Sequence, residues 1–258
     1  MIIIDKKVVH GVPLLEVAKQ EFFDEKLPAI FFFHGFTSYK EVNLHYAYHL
    51  AGEGFRVILP DCEYHGERSD EKKKSFPELG LSFWHIILKA IQELEQLKDD
   101  FVGSGKIDPD KIGVVGTSMG GFITLGALTQ YEWIKAAVSL MGCPAYVEFA
   151  KLAISQFKKE GHFLPFSDEA IEHELAKLSH FDLSLHPEKL NQRPLLFWHG
   201  EKDPVVPFHF AHRFYKAVKA QYKDEPEKLT FILDANAEHK VTREGLVATV
   251  HHFSTYLR

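Results

Sequence analysis

The residue pattern best suited to chemistry is the segment 116–120, which reads Gly-Thr-Ser-Met-Gly and fits the motif G-x-S-x-G. Such a motif places a serine in a tight turn between a strand and a helix, where small flanking residues let two chain segments approach closely. The hydroxyl then lies at a helix N-terminus, where free N–H groups favour developing negative charge. We therefore predict that Ser118 is a nucleophile with a positive φ. The alternative is an ordinary tight turn, which the apolar segment before it and the helical pattern after it disfavour.

A serine hydroxyl is a weak nucleophile at neutral pH, so the chain must also supply a base. In this strand-turn-helix arrangement the order along the chain is serine, acid, histidine. His239 lies in a polar loop after a predicted strand and before the last predicted helix. Its position and order select it from the sixteen histidines, whereas His251 and His252 fall inside that helix. His239 is therefore the predicted base.

The acid that orients this histidine is expected in the loop after the preceding strand, which offers Glu201 and Asp203. Asp203 precedes Pro204, and a residue before proline is held in an extended conformation that keeps such a loop open. We predict that Asp203 fixes the imidazole tautomer and stabilises the imidazolium, with Glu201 as the second choice.

An acyl-transfer site also needs donors for the negatively charged oxygen of the tetrahedral intermediate. The residue after the nucleophile, Met119, is predicted to supply one backbone N–H. The turn after the first buried parallel strand is predicted to supply the other, and we assign it to the N–H of Phe36. His34 in that turn is interpreted as a scaffold residue that braces the loop.

The elements that must position these residues are predicted from apolar runs and helical spacing. Predicted strands cover 2–10, 14–19, 29–33, 55–60, 111–116, 134–141, 194–199 and 229–233. Predicted helices cover about 41–52, a long stretch that includes 81–94, and 119–130, about 208–222 and 241–256. Alternating strands and helices favour an α/β fold with a mostly parallel sheet. The segment from 144 to about 192 has no convincing strand, and Ser167 can cap one of its helices. We expect a single domain over 1–258 with a helical cap insertion over about 144–192.

Composition limits the classes of partner and location. Hydrophobic residues make up 45% of the 258 residues and charged residues 26%, as is usual for a soluble globular protein. A net charge of −6 disfavours binding to nucleic acid and to anionic membranes. The N-terminus lacks the pattern of a secretory signal, and two cysteines in an acidic chain favour a reducing compartment. We therefore expect a cytoplasmic protein.

A metal site is not predicted. His209 and His212 have helical spacing, but no third ligand or H-E-x-x-H pattern accompanies them. A serine, a histidine, an acid and two backbone donors suffice for acyl transfer, so neither a metal nor an organic cofactor is expected.

Several segments together resemble the α/β-hydrolase family and span almost the whole chain. These segments are 33–36, 60–69, 116–121, 199–207 and 238–239. They are similar to the YitV/YjfP-type bacterial esterases, near the prolyl oligopeptidase and dienelactone hydrolase branch. The resemblance implies a carboxylesterase with a short helical cap between the sixth and seventh strands. One departure is segment 63–66, Glu-Tyr-His-Gly, where the family usually has an Arg-Gly or similar pair, and its role is left open.

The predicted function is hydrolysis of short or medium acyl esters through an acyl-enzyme on Ser118, with a small-molecule ester as substrate. Four phenylalanines of the cap are candidates for an apolar acyl pocket, unless they only attach the cap to the core. They are Phe149, Phe157, Phe163 and Phe166. The same residues would also serve a peptidase, an amidase or a thioesterase. A non-catalytic binding protein is a further alternative, against which the intact serine, acid and histidine argue.

Overall fold

The computed structural model describes residues 1–69, 74–161 and 165–258 and centres on one eight-stranded sheet. The strands are β1 (Ile2–Val9), β2 (Val12–Lys19), β3 (Leu27–Phe33), β4 (Arg56–Pro60), β5 (Ile107–Thr117), β6 (Ala136–Leu140), β7 (Leu195–Gly200) and β8 (Leu229–Asp234). Their order is β1-β2-β4-β3-β5-β6-β7-β8. The six neighbouring strands β4, β3, β5, β6, β7 and β8 are parallel. Strand β2 pairs antiparallel with both β1 and β4. This arrangement confirms the predicted α/β-hydrolase fold.

Helices cover both faces of the sheet. In the described residues they are α1 (Leu44–Gly52), α2 (Phe76–Leu81), α3 (Phe83–Gly103), α4 (Met119–Gln130), α5 (Tyr146–Lys159), α6 (Asp168–Ser179), α7 (His209–Val218) and α8 (Arg243–Tyr256). Strand β3 shows why both faces must be covered. Phe31 and Phe33 belong to the hydrophobic core on one face, while Ile30 and Phe32 belong to the core on the other. Successive side chains of a strand point to opposite faces, so a continuous apolar run requires two cores.

Several predicted boundaries were wrong by a few residues. Strand β5 begins at Ile107 because Leu27 pairs with Ile107 ahead of a register shift in β3. The helix predicted from about 41 to 52 is a 3₁₀ turn, Lys40–Asn43, followed by α1. Helix α2 precedes the predicted long helix, and Ser75 and Glu78 form a capping box at its start.

Two helices, α5 and α6, lie between β6 and β7, where a helical segment without a strand was predicted. Ser167 Oγ accepts a hydrogen bond of 3.2 Å from the Ala170 N–H, so the predicted N-cap of α6 is confirmed. Across the residues that the structure describes, no helix is both long and apolar enough to cross a membrane.

The topology explains how distant residues can form one site. The carboxyl ends of parallel strands lie at the same edge of a sheet, and ligands bind at that edge in α/β folds. Strands β3, β5, β7 and β8 end at Phe33, Thr117, Gly200 and Asp234. The loops after these ends carry the predicted donor, nucleophile, acid and base.

Candidate active site

Ser118 occupies a strained turn between β5 and α4. Its φ is 53° and its ψ is −115°, which confirms the predicted positive φ. Such a conformation costs a non-glycine residue about 1–3 kcal/mol and must be held by its surroundings. The Ser118 N–H donates to Leu140 O at 2.8 Å, and Ser118 O accepts from the N–H of Phe122 at 3.1 Å. The turn is therefore tied to β6 on one side and to α4 on the other.

The glycines of the motif are required by close backbone contacts. A Cβ on Gly120 would overlap the carbonyl oxygen of Phe33 at the end of β3, and a Cβ on Gly116 would overlap the backbone of Gly120. Only glycine allows the three chain segments to approach so closely. This explains the spacing of small residues around Ser118 and keeps its hydroxyl beside the end of β3.

The His239 side chain bridges Ser118 and Asp203. Its Nε2 lies 2.8 Å from Ser118 Oγ, and its Nδ1 lies 2.7 Å from Asp203 Oδ2. The loop that carries it begins at Asp234, whose Oδ1 accepts from the N–H groups of Asn236 and Ala237. The imidazole is therefore placed to exchange a proton with the serine hydroxyl while its other nitrogen donates to a carboxylate.

Asp203 is buried and fully hydrogen-bonded. Its Oδ1 accepts from the N–H groups of Val205 and Val206, both at 2.9 Å. Burial opposes ionisation of this carboxyl, but hydrogen bonds from His199, His239 and the Val206 N–H hold the pKa of Asp203 well below its ordinary value. Asp203 is therefore a carboxylate throughout the neutral and mildly acidic range.

His199 was not singled out from the sequence, although it contacts this acid. It is buried, and its Nε2 lies 2.8 Å from Val206 O and 3.4 Å from Asp203 Oδ2. The N–H at Nε2 makes its shorter bond to the carbonyl and a longer one to the carboxylate, so His199 ties Asp203 to the loop that follows it. Its position four residues before the acid, at the start of the segment 199–207, is the sequence signal that could have identified it.

Glu201, the second choice for the acid, has an exposed side chain. Its backbone N–H donates to Asp234 O at 2.8 Å, which ties the acid loop to the start of the histidine loop. The His239 imidazole pairs with Asp203 instead.

The predicted oxyanion donors lie in the turn after β3 and at the start of α4, beside Ser118. A Cβ built on Gly35 would lie 3.6 Å from Ser118 Cβ, so the turn after β3 packs directly against the nucleophile. Met119 is the first residue of α4, where a backbone N–H has no acceptor within its own helix. Among the described residues, the N–H of Phe36 also has no hydrogen-bond acceptor. Both N–H groups are therefore available to a ligand.

Half-buried aromatic side chains line the region next to α4. Phe149, predicted from the sequence, packs against Phe122 with ring centroids 5.0 Å apart and against Phe210 at 6.1 Å. Phe83, which sequence reasoning missed, contacts both Phe122 and Phe36 at 5.6 Å. Phe122 lies one helical turn after Ser118, so this cluster extends from the oxyanion loop to the helical insertion.

The other predicted pocket residues have different surroundings. Phe157 is half-buried on α5, Phe166 is 51% exposed, and Phe163 lies outside the described residues. A cavity of about 530 Å³ between α5 and α6 has Ile154, Ile171 and Leu175 among its lining residues. None of the predicted site residues that the structure describes lines this cavity, and neither does Ser118.

His209 and His212, the two histidines with helical spacing, contact aromatic rings. The His209 ring lies 4.3 Å from that of Phe210, and the His212 ring lies 5.1 Å from that of Phe231. Within residues 1–69, 74–161 and 165–258, no group of three or more His, Cys, Asp or Glu side chains is arranged to hold a metal ion.

Comparison with known proteins identifies relatives along the full length. Residues 89–256 match the model of the prolyl oligopeptidase family. The Bacillus subtilis (strain 168) protein named "Putative esterase YitV" is 48% identical over 257 residues, which cover 100% of both chains. The Escherichia coli (strain K12) protein named "Esterase YjfP" is 30% identical over 258 residues, again with 100% of both chains covered.

Solved structures share the fold at much lower identity. The crystal structure of TT1662 from Thermus thermophilus has a TM-score of 0.74 and 18% identity, covering 100% of this chain and 99% of the other. Acetyl xylan esterase 1 from Thermoanaerobacterium sp. JW/SL YS485 has a TM-score of 0.67 and 16% identity, covering 98% of this chain and 87% of the other. These likenesses extend the fold assignment to the whole chain.

Proposed function

Because this chain belongs to the prolyl oligopeptidase family, we propose that it is a serine carboxylesterase in which Ser118 is the nucleophile, His239 the base and Asp203 the orienting acid. The observation that carries the proposal is the His239 imidazole, which lies within hydrogen-bond distance of Ser118 Oγ and Asp203 Oδ2 at once. The full-length relatives named as esterases support ester cleavage as the reaction.

The first half of the reaction forms an acyl-enzyme. Ser118 Oγ attacks the ester carbonyl while His239 Nε2 accepts its proton, and Asp203 stabilises the resulting imidazolium. The N–H groups of Phe36 and Met119 donate to the oxygen that becomes negatively charged. Collapse of the intermediate breaks the bond to the alcohol oxygen, which takes the proton from His239.

The second half returns the enzyme to its starting state. Water attacks the acyl-enzyme and gives a proton to His239 Nε2, while the same two N–H groups stabilise the second tetrahedral intermediate. The carboxylic acid leaves as Ser118 Oγ recovers the proton. Every proton transfer passes through one imidazole, so no metal or cofactor enters the proposed sequence of steps.

The aromatic cluster beside Ser118 is proposed to receive the acyl group of short or medium small-molecule esters. Phe149 and Phe83 flank Phe122, and apolar walls of this kind favour an acyl chain over a charged group. A panel of p-nitrophenyl esters of increasing chain length tests this. Phe149→Ala is expected to move the preferred chain length upwards by enlarging the pocket. An unchanged profile would exclude Phe149 as a wall, and Phe166→Ala tests the more exposed candidate in the same panel.

Labelling by a fluorophosphonate tests the nucleophile. The native protein should be labelled and should hydrolyse p-nitrophenyl acetate, whereas Ser118→Ala should do neither while retaining its fold. Ser104→Ala is the matched control, since Ser104 is exposed just before β5 and Ser118 follows the opposite end of that strand. Labelling or substantial esterase activity in the Ser118→Ala protein would reject the proposal. A folded native protein that is not labelled would favour a non-catalytic binding role.

Amide hydrolysis is a second candidate, favoured by the match to a family described by its oligopeptidases. The same nucleophile and base serve both reactions, but an amine is a poorer leaving group than an alcohol. Comparing matched p-nitroanilide and p-nitrophenyl ester substrates separates the two. Turnover of the anilide at a rate close to that of the ester would favour the peptidase assignment.

A further inference from the structure

The turn that carries Phe36 is held from both sides by buried histidines. His34 Nδ1 donates to Gly35 O at 2.8 Å, and His65 Nε2 accepts from the Thr37 N–H at 3.0 Å. His34 and His65 are 0% and 3% exposed, and their ring centroids lie 5.2 Å apart. The residue between the two held positions is Phe36, whose N–H we assign to the oxyanion hole.

The geometry of the turn decides where the Phe36 N–H points. The peptide between Gly35 and Phe36 is planar, so its N–H points opposite to the Gly35 carbonyl. That carbonyl accepts from the Ser38 N–H at 3.1 Å, which closes a four-residue turn. Any change that opens the turn rotates this peptide and redirects the Phe36 N–H.

The third residue of the turn is strained. Thr37 has a φ of 62°, a region that favours glycine or asparagine and that a β-branched residue rarely adopts. A conformation of this kind costs about 1–3 kcal/mol and persists only when neighbouring groups hold it. The hydrogen bond from the Thr37 N–H to His65 Nε2 is such a constraint, and Thr37 Oγ1 adds a bond to Phe36 O at 2.6 Å.

His65 is itself fixed in position and protonation. Its Nδ1 donates to Glu63 O at 2.8 Å, which leaves Nε2 as an acceptor in the neutral ring. Burial lowers the pKa of His65, opposed by the bond to Glu63 O and by the charge of Asp61. Described titratable groups around this loop include the buried His34, the Lys40 and Glu67 side chains, which pair with each other, and His85, which pairs with Glu63.

The loop that presents His65 is anchored at both ends. Asp61 accepts from Lys40 Nζ at 2.6 Å and from the Glu67 N–H at 3.0 Å. Gly66 has a φ of 54°, and a Cβ there would overlap the Asp61 carboxylate. Arg68 forms a two-bond pair with Glu93 on α3, both at 2.8 Å.

We propose that His65 is a positioning residue for ester hydrolysis, holding Thr37 in its strained conformation so that the Phe36 N–H points at the developing oxyanion. This inference rests on the proposed function. The imidazole acceptor stabilises at Thr37 a backbone conformation that a glycine would adopt without strain.

Two variants of similar size separate hydrogen bonding from packing. In His65→Leu the acceptor is lost, and kcat for p-nitrophenyl acetate should fall about 10- to 100-fold with KM changed less than about twofold, because one oxyanion donor contributes about 10²–10³ in rate. Phenylboronic acid, which forms a tetrahedral adduct with an active serine, should bind more weakly by a similar factor. His65→Gln presents an amide oxygen near the position of Nε2 and should keep most of the activity.

The outcomes are distinguishable from failure of the proposed function. Retained activity in Ser118→Ala overturns the function itself. An inactive Ser118→Ala protein together with a native kcat in folded His65→Leu overturns only the role of His65, as do equal losses in the Leu and Gln variants.

A measurement on the native protein covers the case in which His65→Leu does not fold. Nitrogen-15 NMR should detect a scalar coupling between the Thr37 amide and His65 Nε2, and this amide should shift when phenylboronic acid binds. Absence of the coupling, or an amide that does not respond to the boronic acid, would overturn the inference.

Discussion

Asp203 contacts the proposed base directly and is itself held by backbone donors. Its Oδ1 accepts two N–H groups and its Oδ2 faces His239 Nδ1. In Asp203→Asn the amide can offer an N–H to Nδ1, which favours the imidazole tautomer with its proton on Nε2 and removes the acceptor for the Ser118 proton. We expect kcat to fall about 10³- to 10⁴-fold with the fold preserved. Glu201→Gln changes an exposed carboxylate and is the control, which should keep native activity. Loss of activity in Glu201→Gln with native activity in Asp203→Asn would make Glu201 the acid.

The pH dependence of activity should report the histidine and not the acid. Hydrogen bonds from the two histidines and the Val206 N–H outweigh burial and keep the pKa of Asp203 below its ordinary value, so this group stays ionised as the pH falls towards 5. A protonated imidazole at position 239 cannot accept the Ser118 proton. The value of kcat/KM should therefore be lower at pH 5 than at pH 8. A rate that is flat across this range would contradict the role of His239.

The sequence alone identified residues that belong to a known motif or follow a known order along the chain. It missed residues whose roles depend on contacts between distant segments. Ser118 was selected by its motif and His239 by its order along the chain, and the structure brings both side chains within hydrogen-bond distance. His65 gave no such signal, because its partner Thr37 lies 28 residues away and the bond depends on a backbone angle. His199 was missed for a similar reason, since its acceptor is a backbone carbonyl.

At the level of elements, the turn from β5 into α4 should tolerate no side chain at Gly120. A Cβ there would overlap the Phe33 carbonyl oxygen, and both are backbone positions that cannot rotate away. Gly120→Ala should lower the free energy of unfolding by about 1–3 kcal/mol or more, measured by urea denaturation, and should also reduce esterase activity.

Gly52→Ala is the matched control for this prediction. Gly52 is exposed at the end of α1, and nothing lies within 4 Å of the position a Cβ would take. The substitution should be neutral or should stabilise by up to about 1 kcal/mol, since alanine has the higher helix propensity. Equal destabilisation by the two variants would contradict the close approach at Gly120.

The elements themselves were predictable where one physical signal dominated. The continuous apolar run in β3 indicated burial on both faces, and Met119–Gln130 was predicted with the bounds that α4 has. The start of β5 was missed because the segment 107–111 contains Pro109 and two aspartates, which are rare inside strands. Its pairing with Leu27 depends on a tertiary contact that local pattern does not encode.

Across the whole molecule, the sheet converts distant sequence positions into one site. Ser118 and His239 are 121 residues apart, and their proximity depends on four parallel strands lying side by side from β5 to β8. The short segments that resemble the family predicted this convergence. Each of them follows a predicted strand, and the loops after parallel strands lie at one edge of the sheet. The packing of aromatic rings between α3, α4 and α5 could not be predicted, since it depends on how separate helices meet.

The burial of two histidine side chains should make the stability of the whole protein depend on pH. Burial lowers the pKa of His34 and of His252 to about 4, opposed by backbone hydrogen bonds to Gly35 and Pro194 respectively. In the unfolded chain an imidazole binds a proton near pH 6.5. Between that pH and about 4, the unfolded state therefore binds protons that the folded state excludes, and the free energy of unfolding must fall as the pH falls.

His252 allows a direct test, because it lies on α8 away from the proposed chemistry and its buried Nε2 has no hydrogen-bond partner in the described structure. Each such histidine should remove about 2 kcal/mol of stability between pH 7 and pH 5. In His252→Leu, the free energy of unfolding measured by urea denaturation should fall between pH 7 and pH 5 by about 2 kcal/mol less than it does in the native protein. The exposed His49→Leu is the control and should leave the native difference unchanged. A pH dependence that is identical in the native protein and in His252→Leu would mean that this imidazole binds protons equally well in the folded and unfolded states, which would contradict the prediction.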